Sequence, residues 1–225
     1  ESDGTWTLTE QRSVVKTRFF DHEYSFMTEQ QDRNGNTISF SYDSCGLSQI
    51  DDTQGRQIQV TTNTDCDITR VEDPTGRAWQ YAYRPGRLLA SVTDPEGKVT
   101  AYDYDTDGRL EVVTDPRGAE TTVAYDPENR VSSVTRKGDP ATTADDQTTT
   151  YAYSAPTGCP SPDPGEKPAA GKTVITDPLS RQTTHCWNAK GQVVHVTDAL
   201  GNERKGSYTP NGDSASFTGF AGTAN

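Results

Sequence analysis

From Ile38 onward, apolar and polar positions alternate along the chain. Ile38, Phe40 and Tyr42 share one parity, and the pattern returns at Trp79-Gln-Tyr81-Ala-Tyr83, Thr100-Ala-Tyr102-Asp-Tyr104 and Thr121-Thr-Val123-Ala-Tyr125. A period of two sends successive side chains to opposite faces, so each stretch predicts a half-buried β-strand. A shorter strand follows each, with an apolar residue two positions before an aspartate: Ile50, Val71, Val92, Val113, Ile175 and Val196. The aspartates open turns. Asp52-Thr-Gln-Gly55, Asp73-Pro-Thr-Gly76, Asp94-Pro-Glu-Gly97 and Asp115-Pro-Arg-Gly118 recur every 21 residues. Asp177-Pro-Leu-Ser180 and Asp198-Ala-Leu-Gly201 repeat that step, and Asp32-Arg-Asn-Gly35 falls one residue short of it. Asp caps its own backbone at the first position, Pro presets φ at the second and Gly suits the fourth.

An aromatic stands seven residues past the last turn position in nearly every unit: Tyr42, Tyr83, Tyr104, Tyr125, Trp187 and Tyr208. Thr62 is the exception, and Tyr153 takes the aromatic role after an insertion. Gly46, Gly86, Gly108, Gly191 and Gly212, with Asn129 in the same slot, mark a second turn. Each unit is therefore turn, strand, turn, strand. The expected fold is all-β: stacked antiparallel β-hairpin repeats of about 21 residues in one continuous, curved sheet, with aromatics packing from unit to unit rather than in a central core. Residues 1–31, including Gly4-Thr-Trp6-Thr-Leu8, read as lead-in strands, and 32–225 as the array.

Register also exposes the departures. Arg136 stands where an aspartate is due, and insertions fall at about 139–146 and 154–172, the second carrying Cys159-Pro-Ser-Pro-Asp-Pro-Gly. Four cysteines allow three pairings, with free thiols the alternative. Cys186 precedes Trp187 and so belongs to the opposite, polar face, where a loop bearing Cys159 can be stapled down. Cys45 and Cys66 hold equivalent slots one repeat apart, giving Cys45–Cys66 as the second pairing. Two strand spacings separate such slots by roughly 9–10 Å. That is long for a disulfide, so this pair requires a local distortion. Bridges imply an oxidising compartment.

Composition fits a thin structure: 30% of residues are hydrophobic, below the roughly 45–50% usual for globular domains even with glycine counted there. The net charge of -12 and the absence of a basic run argue against a nucleic-acid partner. No stretch reaches the ~20 apolar residues of a membrane span, and Glu1-Ser2-Asp3-Gly4 has no leader character, so the start reads as internal to a longer protein. Asp103-Tyr-Asp105-Thr-Asp107-Gly108 imitates the opening of a calcium loop, but its twelfth position is Thr114 and the segment is in register with hairpin turns. His22, His185 and His195 are scattered, with His185 on the aromatic-parity face. No nucleophile elbow, phosphate loop or zinc spacing appears, so no catalytic, cofactor or metal residues are assigned.

Tyr104-Asp-Thr-Asp-Gly-Arg-Leu, followed by Val-Val-Thr-Asp115-Pro-Arg-Gly, resembles the YD repeat of the Rhs family, which includes polymorphic toxins, insecticidal toxin-complex subunits and teneurins. The likeness runs from about Asn34 to Phe220. It implies a sheet spiralling into a hollow shell around a C-terminal toxin or other cargo domain, in a secreted or cell-surface protein whose partners are further repeats and that cargo. The chain's end at Gly219-Phe-Ala-Gly222, where another turn is due, reads as a cut through a longer array. The alternative is an adhesin that binds glycans or surface proteins through its inserted loops or aromatics.

Overall fold

The computed structural model describes residues 5–10, 15–20, 26–138, 145–161, 168–209 and 211–219. Expectations placed on residues 1–4, His22, residues 139–144, residues 162–167 and residues 220–222 lie outside them. Every regular element among the described residues is a strand, and no helix is long and apolar enough to cross a membrane. The chain divides into two compact units, 1–103 and 104–225.

In the first unit the strands are β1 (Thr5–Glu10), β2 (Val15–Phe20), β3 (Met27–Gln31), β4 (Thr37–Asp43) and β5 (Gly46–Asp52). They continue with β6 (Gln57–Thr62), β7 (Ile68–Glu72), β8 (Ala78–Arg84), β9 (Leu88–Thr93) and β10 (Val99–Tyr104). Each pairs antiparallel with the next, β1 with β2 through to β9 with β10. The second unit holds β11 (Leu110–Thr114), β12 (Glu120–Tyr125), β13 (Val131–Arg136), β14 (Gln147–Ser154) and β15 (Gly171–Thr176). There follow β16 (Gln182–Trp187), β17 (Val193–Thr197), β18 (Glu203–Tyr208) and β19 (Ser214–Phe217), again each antiparallel to the next. The stacked antiparallel hairpins expected from the repeat are thus the fold. Within each unit, alternate turns lie along the same rim of the meander.

Regular alternation breaks at one fixed place. Tyr42 opposes Leu47 while Ser41 opposes Gln49, leaving Ser48 as an extra residue on the return strand. The same bulge leaves Thr69 opposite the step into Thr62, Ala90 opposite Tyr83, Ser132 opposite Tyr125, Val194 opposite Trp187 and Ala215 opposite Tyr208. One extra residue turns the return strand by one parity. That is why its apolar residues fall three apart, as in Leu47/Ile50, Ile68/Val71, Leu89/Val92, Val131/Val134 and Val193/Val196. Both residues of each pair thereby reach the aromatic face.

Burial is correspondingly thin. Among the described residues the buried apolar side chains are Cys186 and Val196, joined by the polar Asn188 and His195, and all four lie on β16–β17 or its turn. Within each unit the described residues are covered chiefly by their neighbours in the sheet, and the described tyrosines are half-buried.

Candidate functional site

The repeated chemistry sits in the turns. At the turn from β12 to β13, Asp126 N–H donates to the Arg130 carbonyl at 2.8 Å and Asn129 N–H to the Asp126 carbonyl at 3.0 Å. Asp126 Oδ1 accepts the N–H groups of Glu128 and Arg130 at 3.0 and 2.9 Å, and Oδ2 accepts Arg130 Nε at 2.7 Å. The second residue's N–H has no part in this clamp, so Pro74, Pro95, Pro116, Pro127 and Pro178 stand there at no cost. The fourth residue needs a positive φ: Gly76 has +84°, and Ser180 and Asn129 adopt +61° and +63° in the same role.

The clamp recurs on both rims. In the first unit Asp32, Asp52, Asp73 and Asp94 build it on the rim expected from the sequence, and in the second unit Asp115, Asp177 and Asp198 do so. On the other rim of the second unit Asp105 and Asp126 do the same work, with Asn188 in the aspartate's place, as Asn63 is on the other rim of the first. Asp105 therefore spends its oxygens on Asp107 N–H, Arg109 N–H and Arg109 Nε, which accounts for the calcium-loop likeness without an ion. Sequence reasoning placed the second turn by its glycines and missed this cap. It also missed the clamp's fifth residue, although an arginine four positions past the aspartate is a legible signal. Arg56, Arg77, Arg109, Arg130 and Arg181 pair with Asp52, Asp73, Asp105, Asp126 and Asp177 at 2.5 to 2.8 Å. The Arg56 side chain holds the Asp52 carboxyl below the usual aspartate range, the Asn36 side chain does so for Asp32, and the Arg109 backbone N–H leads at Asp105.

The tyrosines tie each hairpin to the one before it. Tyr42, Tyr83, Tyr125 and Tyr208 donate their hydroxyls to the carbonyls of Met27, Ile68, Leu110 and Val193, each fifteen residues back, at 2.7 to 3.0 Å. Tyr153 reaches the Val131 carbonyl at 2.9 Å across the first insertion. Ile68, Leu110, Val131 and Val193 each immediately follow a second-rim clamp, so the hydroxyl lands where the turn closes. Arginines of those clamps roof the same rings: Arg109 lies 4.6 Å above Tyr125 and Arg130 4.4 Å above Tyr153. Neighbouring repeats are joined by hydroxyl-to-backbone and guanidinium-to-ring contacts. Tyr104 ends β10 in the equivalent slot.

Both disulfides occur where the tyrosine is absent. Thr62 cannot reach back to Leu47, and there Cys45–Cys66 links the two neighbouring second-rim turns, with Cα atoms 4.9 Å apart. The expected separation of two strand spacings does not apply, because both cysteines lie beyond the last ladder pairs, Asp43↔Gly46 and Thr62↔Ile68. Cys66 takes φ +63°, the conformation that the fourth residue adopts in sister turns, so its backbone there is that of an ordinary clamp. Trp187 has no hydroxyl; its Nε1 donates to Thr173 Oγ1 at 3.2 Å, and Cys159–Cys186 lies beside it, Cα atoms 6.0 Å apart. That bridge, the Lys172 Nζ bond to the Thr157 carbonyl at 2.7 Å and the Ala170 N–H bond to Trp187 O at 2.7 Å hold the loop between β14 and β15 on the polar face. Cys186 and, across the ladder from it, His195 are buried. His185 sits on the aromatic face opposite Thr173 and Val196, and burial lowers its pKa. With both disulfides closed, no three His, Cys, Asp or Glu side chains among the described residues are arranged to hold a metal ion.

Capped turns on two rims, a bulge before each aromatic and a hydroxyl staple between hairpins define a structural repeat array. The teneurin YD-shell family model matches residues 4–157, more than half of the chain, and the protein belongs to that family. Among solved structures, TcdB2-TccC3-Cdc42 and TcdB2-TccC3-TEV match over 93% of this chain with TM-scores of 0.51, at 15% and 17% identity. TcdB2-TccC3 without its hypervariable C-terminal region matches over 93% of the chain at 15% identity, also with a TM-score of 0.51. The chain spans 14% of the length of each of these structures, and at such identities the likeness is one of fold. A search of curated proteins finds no match.

Proposed function

We propose that this chain is a segment of the wall of a YD-repeat shell, in a larger secreted or cell-surface protein whose shell encloses a C-terminal toxin or other cargo domain. The observation that carries the reading is the tyrosine staple. In the repeats that carry it, the tyrosine hydroxyl is spent on the carbonyl of the preceding repeat, so these side chains are used to join hairpins. Two disulfides support an oxidising compartment. The clamps and staples serve stiffness and closure, a structural rather than a catalytic task, and the partners are further repeats and the cargo.

The test is protease protection in the full-length protein. Domains outside the array are expected to resist digestion while the wall is intact and to become cleavable when Tyr83, Tyr125 and Tyr208 are all replaced by alanine. Equal cleavage of the enclosed domain with and without the wall would remove the shell reading. It would favour the adhesin alternative, which predicts binding to glycans or surface proteins that is lost with the loop between β14 and β15.

A further inference from the structure

His195 is the least satisfied polar side chain among the described residues: it is 4% exposed, and neither Nδ1 nor Nε2 has a hydrogen-bond partner. An orphaned ring in a buried site marks a missing ligand or water. Its neighbours on the polar face follow from register. Cys186 stands directly across from it on β16, and Lys172 stands across from Cys186 on β15. Lys205 is opposite His195 on β18, two residues from Glu203. Residues directly opposite have Cβ atoms about 4.5–5.5 Å apart, so the Cys186 sulfur and the imidazole share one pocket. Glu203 Oε2 lies 3.5 Å from His195 Nε2. Two donors at zinc bond lengths of about 2.0–2.1 Å and tetrahedral angles are about 3.3 Å apart, so that pair is already spaced as adjacent ligands of one ion.

We propose that the Cys159–Cys186 disulfide masks a zinc site, and that reduction exposes a Cys159, Cys186, His195 and Glu203 ligand set for Zn²⁺. A thiol reductant supplies the electrons: two R–SH become R–S–S–R while the protein disulfide becomes two thiols. Binding then releases two protons to solvent as the thiols become thiolates, with the imidazole neutral. Two thiolates and a carboxylate carry one negative charge more than the ion offsets, and Lys172 and Lys205 lie on the same face to balance it. Cys45 and Cys66 have no histidine across the ladder, and their site is not part of this set. The inference is independent of the shell reading.

The test titrates Zn²⁺ against a chromophoric chelator, and Co²⁺ for thiolate-to-metal absorption, on the whole chain with Cys45→Ser and Cys66→Ser. The reduced protein is expected to bind one equivalent with a thiolate–cobalt band, and the oxidised protein none. His195→Ala or Cys186→Ser should weaken binding at least tenfold, on the order of losses caused by even indirect changes around zinc. Glu203→Gln is the variant that spares packing, because this side chain is 55% exposed. It should weaken binding while leaving the circular dichroism unchanged. A reduced protein with no thiolate–cobalt band would overturn the proposal. So would Glu203→Gln and His195→Ala variants that both bind like the parent.

Discussion

Tyr125→Phe removes one hydroxyl and leaves the ring under Arg109. The lost bond to the Leu110 carbonyl is a single neutral hydrogen bond at 2.8 Å, so unfolding free energy should fall by about 1 kcal/mol in urea titration. A loss near zero would mean that water replaces the hydroxyl freely and the staple has no strength. The clamps make a second claim, about acid. Asp32, Asp52, Asp105, Asp115, Asp177 and Asp198 have lowered pKa values, held down by side-chain and backbone donors. A carboxyl whose folded pKa lies below its unfolded value contributes stability that is full above the unfolded pKa and is lost as pH falls through the folded one. The unfolded value is about 3.9, so the melting temperature should hold from pH 7 to about 5 and then drop steeply below about 4. A decline that is complete between pH 7 and 5 would assign acid sensitivity to histidines instead of the turns.

At the scale of the hairpin, the exchange of a tyrosine staple for a disulfide can be tested by reversing it. Cys45→Ser with Cys66→Ser should cost about 2–4 kcal/mol. Adding Thr62→Tyr in that background places a hydroxyl fifteen residues past Leu47 and should restore about 1 kcal/mol; the same substitution with a further Phe in place of Tyr should not. Gly171 gives a harsher case. A Cβ there would lie 2.2 Å from Trp187 Cζ2, so Gly171→Ala must displace the indole or the strand and should cost about 1–3 kcal/mol, read as a lowered melting temperature. Much of this element was legible beforehand. The Asp-x-x-Gly turns and the aromatic seven residues later are local signals, and local signals survive in a single sequence. The bulge was written in the three-residue spacing of pairs such as Val131/Val134, but a reading tuned to period two passes over it. The buried Cys186–His195 patch was out of reach, because it joins residues of two strands, one of them bridged to Cys159 far along the chain, and no periodicity within either strand reports that.

Within each unit the strands that pair are sequence neighbours, and an ion pair from Arg84 of β8 to Asp103 of β10 adds a link one strand further, so stability is chiefly the sum of hairpins and the interfaces between them. Such an array should tolerate losing a complete repeat far better than losing a strand. Deleting residues 74–94 joins Asp73 to Pro95 and rebuilds a clamp as Asp73-Pro95-Glu96-Gly97-Lys98. It also brings Tyr104 to fifteen positions past Ile68, the place Tyr83 holds now. The strand directions stay antiparallel because two strands leave together. Deleting only 85–94 removes β9 and its turn, and β10 would then have to meet β8 with its apolar face and direction in conflict with the ladder. The full-repeat deletion is expected to keep a β-type circular dichroism spectrum and a cooperative melt at somewhat lower temperature, while the single-strand deletion aggregates or melts without a transition. If both deletions unfold the chain alike, contacts beyond the nearest neighbours hold the array together, and the one-dimensional account of its stability fails.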